Sequence, residues 1–168
     1  MKNVIFSVLL ATFFLLSPVG VFPGSAQAGE YEALEGVKSV STMFDFRDGK
    51  PESASDHLKL IHETYKDQAL LAISQKPKFV VVFMGPSPMV LSKNREKFSA
   101  DEQKKLEEFD STLSAMAQDG IGLEVCKAAI MYFGVDPQSI APEIKQVKNG
   151  WISSIGYQQK GYSMIPVF

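Results

Sequence analysis

The chain has 168 residues, enough for one ordinary domain, and its 45% hydrophobic and 21% charged content is that of a globular protein, which excludes a disordered segment. Its formal charge is −2 and no basic run or stripe is visible. Nucleic-acid binding needs a positive surface to neutralise phosphates, so that class is excluded too.

Residues 1–28 read as a cleavable signal peptide. Lys2 and the terminal amine supply the positive start. An apolar run over 4–16 follows, interrupted only by Ser7 and Thr12. Pro18, Gly20, Pro23 and Gly24 break it, and Ala26-Gln27-Ala28 sets small residues at the positions a signal peptidase reads. The run is shorter than the roughly 20 residues that span a bilayer. With neither a twin-arginine pair nor a lipoprotein cysteine, the expected route is general secretion. The expected compartment is the periplasm, and no membrane association is expected after cleavage. Loss of Lys2 leaves the mature chain slightly more acidic.

Residues 29–37 are acidic and flanked by glycine, and read as an arm or linker ahead of a single domain over 38–168. Val40, Met43, Phe44 and Phe46 predict a first strand, ended by Asp48-Gly49-Lys50-Pro51. A helix follows over 53–75, capped by Ser53 or Ser55, with Leu58, Ile61, Tyr65 and Leu71 or Ala72 at helical spacing. Residues 79–84 are continuously apolar and rich in β-formers. Such a run is buried on both faces, as in the central strand of a parallel sheet. Gly85-Pro86 stops it, and 86–98 reads as a loop or short irregular helix.

The clearest helix spans 99–119. Ser99 and Glu102 have the spacing of a capping box, Leu106, Phe109, Leu113 and Met116 make one apolar face, and Gly120 stops it. A short strand over 121–125, a short helix over 126–133, a weaker strand over 143–148, a helix over 151–160 and a last strand over 162–167 complete the chain. Strands alternating with helices are the signature of βαβ units, so an α/β fold with a mostly parallel sheet and helices on both faces is expected.

Sites in open parallel sheets form outside the carboxyl ends of the strands. Four places qualify: Arg47-Asp48, residues 84–87, Cys126-Lys127 and residues 149–151. Only one of them carries a strong nucleophile, the single cysteine, Cys126. A thiol where a strand meets a helix start, beside Lys127, is in a setting that favours the thiolate. Free cysteine is also among the most buried residue types, and Cys126 is equally a small apolar filler between Val125 and Ala128. An idle exposed thiol is a liability in an oxidising compartment. Gly85 and Ser87 sit in a turn able to present N–H groups to an anion, although Pro86 and Pro88 remove two donors. Asn149-Gly150 reads as a helix start and a site wall. His57 and His62 are five apart, about 140° on a helix, so they do not share a face as metal ligands would. No P-loop, G-x-G-x-x-G or G-x-S-x-G is present. Neither a metal nor a cofactor is expected.

Three dispersed segments resemble the DsrE/DsrF-like family: the run over 79–86; Gly122-Leu123-Glu124-Val125-Cys126 with its small-residue helix and Gly134-Val135; and the ending from Gly150 to Pro166 with Gln158-Gln159-Lys160-Gly161-Tyr162. The resemblance implies a three-layer α/β/α fold with a five-stranded sheet and assembly into homo-trimers or hexamers. Characterised members relay sulfur between partners as a persulfide on one cysteine, during sulfur oxidation or tRNA thiolation. Cys126 matches the place of that cysteine, and a sulfurtransferase-like activity follows if the chain is an enzyme. Many exported relatives read His-Gly-Pro where this chain reads Met84-Gly85-Pro86. Acid–base help at the thiol is therefore absent from the motif, which favours simple sulfur carriage over catalysis. The alternative is a non-catalytic oligomeric binding module in which Cys126 is packing.

Overall fold

The structure is a computed structural model and describes residues 31–168; the expected signal peptide and the first residues of the arm lie outside the described residues. Among the described residues eleven strands and α-helices follow in order: β1 Ser41–Phe46, α1 Pro51–Tyr65, α2 Gln68–Ile73, β2 Lys78–Phe83, α3 Pro88–Leu91, α4 Ala100–Gln118, β3 Gly122–Cys126, α5 Lys127–Tyr132, β4 Lys145–Val147, α6 Gly150–Gln159 and β5 Ser163–Val167. The five strands form one sheet of order β4-β3-β2-β1-β5, and every pairing is parallel. With helices on both sides, the fold is the expected three-layer α/β/α.

The central position of β2 follows from its composition. Phe79 to Phe83 are all buried because both faces of the strand are covered. On one face Phe44, Phe46, Val81, Phe83 and Val125 pack against Leu58 of α1 and Leu106, Phe109 and Met116 of α4. Rings of Phe46 and Phe83 lie 5.1 Å apart, each 6.4 Å from Phe109. The other face is thinner. Met43, Val80, Val82, Met84, Cys126 and Ala129 form a second buried cluster, joined by Tyr157 of α6 and Tyr162.

The capping box of α4 forms in both directions. Ser99 Oγ accepts from Glu102 N, and Glu102 Oε2 accepts from Ser99 N at 2.8 Å. The Ser99 N–H and then the Ser99 hydroxyl, both donating to that carboxylate, hold the Glu102 carboxyl below its ordinary pKa. The predicted helix over 53–75 is instead two helices. Asp67 leaves helical geometry and its side chain accepts from Ala69 N at 2.8 Å, starting α2 afresh. Neither Ser53 nor Ser55 caps α1, which begins at Pro51; proline's fixed φ and missing N–H suit the first helical position. The start is held from outside, where Asp48 Oδ1 accepts from Lys50 N.

Cys126 is also one element earlier than expected. It is the last residue of β3, paired with Val147 of β4, and the helix begins at Lys127. The described part of the acidic arm makes one 3-10 turn, Glu32–Leu34, whose Leu34 and Val37 line a groove of about 440 Å³ with β1 and β5. Among the described residues no helix is long and apolar enough to cross a membrane.

Candidate functional site

Strand register brings the distant candidates together. Val125 pairs with Phe83, and Phe83 pairs with Phe46. Carried one residue further, the same register sets Cys126 beside Met84 and Met84 beside Arg47. The ladder supports this extension: Met84 N donates to Phe46 O, and Arg47 N donates to Val167 O, both at 2.8 Å. One row across three adjacent strands therefore reads Cys126, Met84, Arg47 at the carboxyl edge of the sheet. Neighbouring strands are about 4.8 Å apart, so the backbones of Cys126 and Arg47 are separated by about 10 Å. The row beneath reads Glu124, Val82, Asp45, since strand side chains alternate between faces.

Helix α6 lies over this face. It opens on Asn149, whose Oδ1 accepts from Trp151 N at 3.0 Å, a regular N-cap. Gly150 then meets the sheet. A Cβ there would be 2.6 Å from Met84 Sδ, so any larger residue would make the Met84 side chain shift. Cys126 is 6% exposed and Met84 3%. The thiol thus belongs to an apolar cluster at the sheet edge, under the first turn of a ten-residue helix whose unpaired N–H groups carry partial positive charge.

Polar groups surround that cluster. Arg47 Nε donates to both oxygens of Asp45, at 2.9 and 3.0 Å. Glu124 is buried. Its Oε1 accepts from Tyr157 O–H at 3.1 Å and lies 3.5 Å from Lys145 Nζ, while Oε2 is buried with no hydrogen-bond partner among the described residues. Burial, with the nearby Glu124 carboxylate, pushes the Tyr157 hydroxyl up to about 12, so it remains a donor at neutral pH. Lys127 and Lys148 are exposed and make no ion pair among the described residues.

The other predicted residues have different roles. Gly85 takes φ +55, which the turn after β2 requires. Ser87 is fully buried, and its O–H donates to Met84 O at 2.8 Å, so it closes the same turn instead of facing an anion. His57 pairs with Asp48 at 3.0 Å and His62 with Asp119 at 2.7 Å, each with a separate carboxylate. The sequence reading did not assign Asp45, Glu124 or Tyr157 to the site. A signal existed: Asp45 and Glu124 are charged residues inside apolar strands, a position that demands a partner.

Beside α6, the same face forms a groove of about 340 Å³ between the helix, β1 and β5, with Asp45 as its one charged wall. Trp151 and Ile155 on its wall are 65% and 60% exposed, and the neighbouring Ile152 is similarly bare.

Comparisons with known proteins agree with this architecture. An uncharacterized protein of Aquifex aeolicus is 24% identical over 128 residues, covering 76% of this chain and 56% of that protein. The chain thus spans a little over half the length of this curated relative. The solved structure of MTH1491, a protein of unknown function from Methanobacterium thermoautotrophicum, superposes with a TM-score of 0.59 at 13% identity, over 76% of this chain and 99% of that one. That likeness shows the fold. The sequence model of the DsrE/DsrF-like family matches residues 53–167, a span that holds β2 to β5, Cys126, Met84 and all of α6. By that match over most of its length, the chain belongs to the DsrE/DsrF-like family.

Proposed function

We propose that the protein carries sulfur as a persulfide on Cys126, in the periplasm after export by the general secretory route. The observation that carries the reading is the position of Cys126, the one cysteine, at the carboxyl edge of β3 beneath the first turn of α6. Sites in parallel sheets form at this edge, and the helix end favours an anionic sulfur. Membership of a sulfur-relay type of family supports it. In this reading Cys126 takes sulfur from a small compound or a donor protein and hands it to an acceptor. Incubation of the mature protein with a sulfur donor is expected to add one sulfur atom to the intact mass. Cys126→Ser should abolish the adduct. Failure of native Cys126 to be alkylated, or an adduct that survives in the Ser variant, overturns the proposal.

A second reading rests on a different observation, the burial of Cys126 among Met43, Val80, Val82 and Met84. There Cys126 is packing and the protein is a homo-oligomeric binding module, a trimer or hexamer. The bare apolar surface of α6, with Trp151, Ile152 and Ile155, supports assembly in either reading. Sedimentation of the mature chain and of Ile155→Glu separates monomer from assembly.

A further inference from the structure

We infer that β5 is a docking edge for a second copy of this chain, whose own β5 pairs with it antiparallel about a two-fold axis and joins the two sheets into one. This rests on the assembly reading above and adds the contact that makes the assembly.

The two edges of the sheet, β4 and β5, are built differently. β4 is three residues long, carries Lys145 and is followed by Lys148. Short length and lysine are devices that keep an edge from pairing. β5 reads Ser163-Met164-Ile165-Pro166-Val167, which is longer and has no charge. Its first four residues are exposed, and Met164 and Ile165 are each 45% bare. Among the described residues no strand pairs with its outer side.

Backbone direction decides which groups this edge offers. Val167 O accepts from Arg47 N, so Val167 turns its peptide groups toward β1, and by alternation Ile165 and Ser163 do the same. Met164 and Pro166 therefore face outward. The N–H that proline lacks falls on the free side, where it breaks no bond of the sheet. What the edge presents is the Met164 N–H and the carbonyls of Met164 and Pro166. An antiparallel copy centred on Ile165 sets each Met164 N–H against the Pro166 carbonyl of the other copy.

The side chains fit the same arrangement, because a groove flanks the edge on each face. Ser163 and Ile165 line the groove of about 440 Å³, together with Leu34 and Val37 of the arm. Met164 lines the groove of about 340 Å³, together with Trp151 and Ile155 of α6. The first has no charged wall, and the only charge on the second, Asp45, is tied to Arg47. A strand laid along β5 sends alternate side chains into the two grooves. β5 is itself such a strand, neutral and with apolar side chains on both faces.

Area favours a second copy over an unrelated extended peptide. A stable complex buries about 800 Å² on each partner, more than a short edge strand provides. A two-fold axis normal to the sheet keeps both α6 helices on one face, on either side of the seam. Trp151 and Ile155, bare in one copy, then close over the Met164 side chains of both. A lone peptide strand would leave α6 uncovered.

Sedimentation of the mature chain is expected to show a dimer or an even multiple of it. Met164→Pro removes the outward N–H and no bond to β1. Two such bonds are lost per dimer, so association should weaken by about thirtyfold. Ile165→Glu, which places two like charges at the seam, should weaken it at least as much. Urea unfolding verifies that each variant folds. In a Cys126→Ser background, Ile165→Cys sets two thiols about 5 Å apart across the axis. Copper-catalysed air oxidation should link these chains in pairs, and should not link Leu60→Cys, on an exposed residue of α1. The crosslink decides alone if neither of the other variants folds. Folded Met164→Pro and Ile165→Glu that associate like the wild type, an Ile165→Cys that does not crosslink, or an odd-numbered assembly overturns the inference and leaves assembly through α6 standing. Wild-type protein that sediments as a monomer overturns both.

Discussion

Gly150 lies so close over Cys126 that a Cβ on it would stand 3.1 Å from Cβ of Cys126. The contact joins the start of α6 to the end of β3 and limits how far the thiol can open to solvent. Gly150→Ala should therefore overpack the edge. We expect a loss of about 1–3 kcal/mol in urea unfolding, because the core must shift to admit one carbon. Met84 is the yielding neighbour, since its thioether is the far end of a flexible chain. Met84→Ala in the same background should recover part of the loss. Simple additivity of the two changes would show that the Gly150 contact is not shared with Met84.

Tyr157, half-buried, and the buried Glu124 form a pair that ties α6 to β3. Tyr157→Phe removes the donor and leaves a buried carboxylate with less compensation, at an expected cost of about 1–3 kcal/mol. Glu124→Gln should cost less, because an amide oxygen still accepts from Tyr157 and the amide adds donors for the orphan position. Equal stability losses in the two variants would count against this account.

The same pair predicts an alkaline limit. The Tyr157 hydroxyl is raised from 10.0 to about 12 in the folded protein, chiefly by burial. A group raised on folding contributes stability below its unfolded value and loses it as pH rises toward the folded one. Stability should thus fall between pH 10.0 and about 12, and Tyr157→Phe should remove part of that slope. A denaturant midpoint followed across this window in both proteins checks it.

An acid limit follows from Asp119 at the end of α4. Hydrogen bonds from His62, then Lys66, hold its carboxyl below the ordinary value of 3.8. A group lowered on folding contributes stability above its unfolded value, and that stability is lost as pH falls below 3.8 through the folded pKa. Asp119→Asn should flatten the acid side of the stability profile and lower the plateau above it, with the slope near pH 10.0 unchanged. An unchanged acid slope would mean the cluster of His62, Lys66 and Asp119 contributes nothing in solution.

Much of the architecture was legible because its signals are local. The apolar run over 79–84 identified a strand covered on both faces, and β2 is the middle strand of the sheet. Ser99 and Glu102 marked a helix start with their own side chains, and that capping box forms. The break between α1 and α2 was less visible. Apolar spacing continues through it from Tyr65 toward Leu71, while the interruption depends on Asp67 turning its side chain onto Ala69 N. Cys126 was found by its residue type, but its neighbours were only half seen. Arg47 and residues 84–87 stood on the carboxyl edge by rule, without any way to say that they share a row and a face with the thiol.

By itself the sequence determined the alternation of strands and helices, the carboxyl-edge position of the lone cysteine and the family resemblance. These follow from apolar periodicity, capping residues and segment motifs, which act over a few neighbouring residues. Tertiary structure alone decided that Arg47, Met84 and Cys126 line up, that Gly150 closes over Met84 and Cys126, and that Glu124 keeps an oxygen without a donor among the described residues. Those relations depend on parallel register between segments about 40 positions apart. Backbone pairing and the packing of α6 set that register, and no local pattern in the chain encodes it.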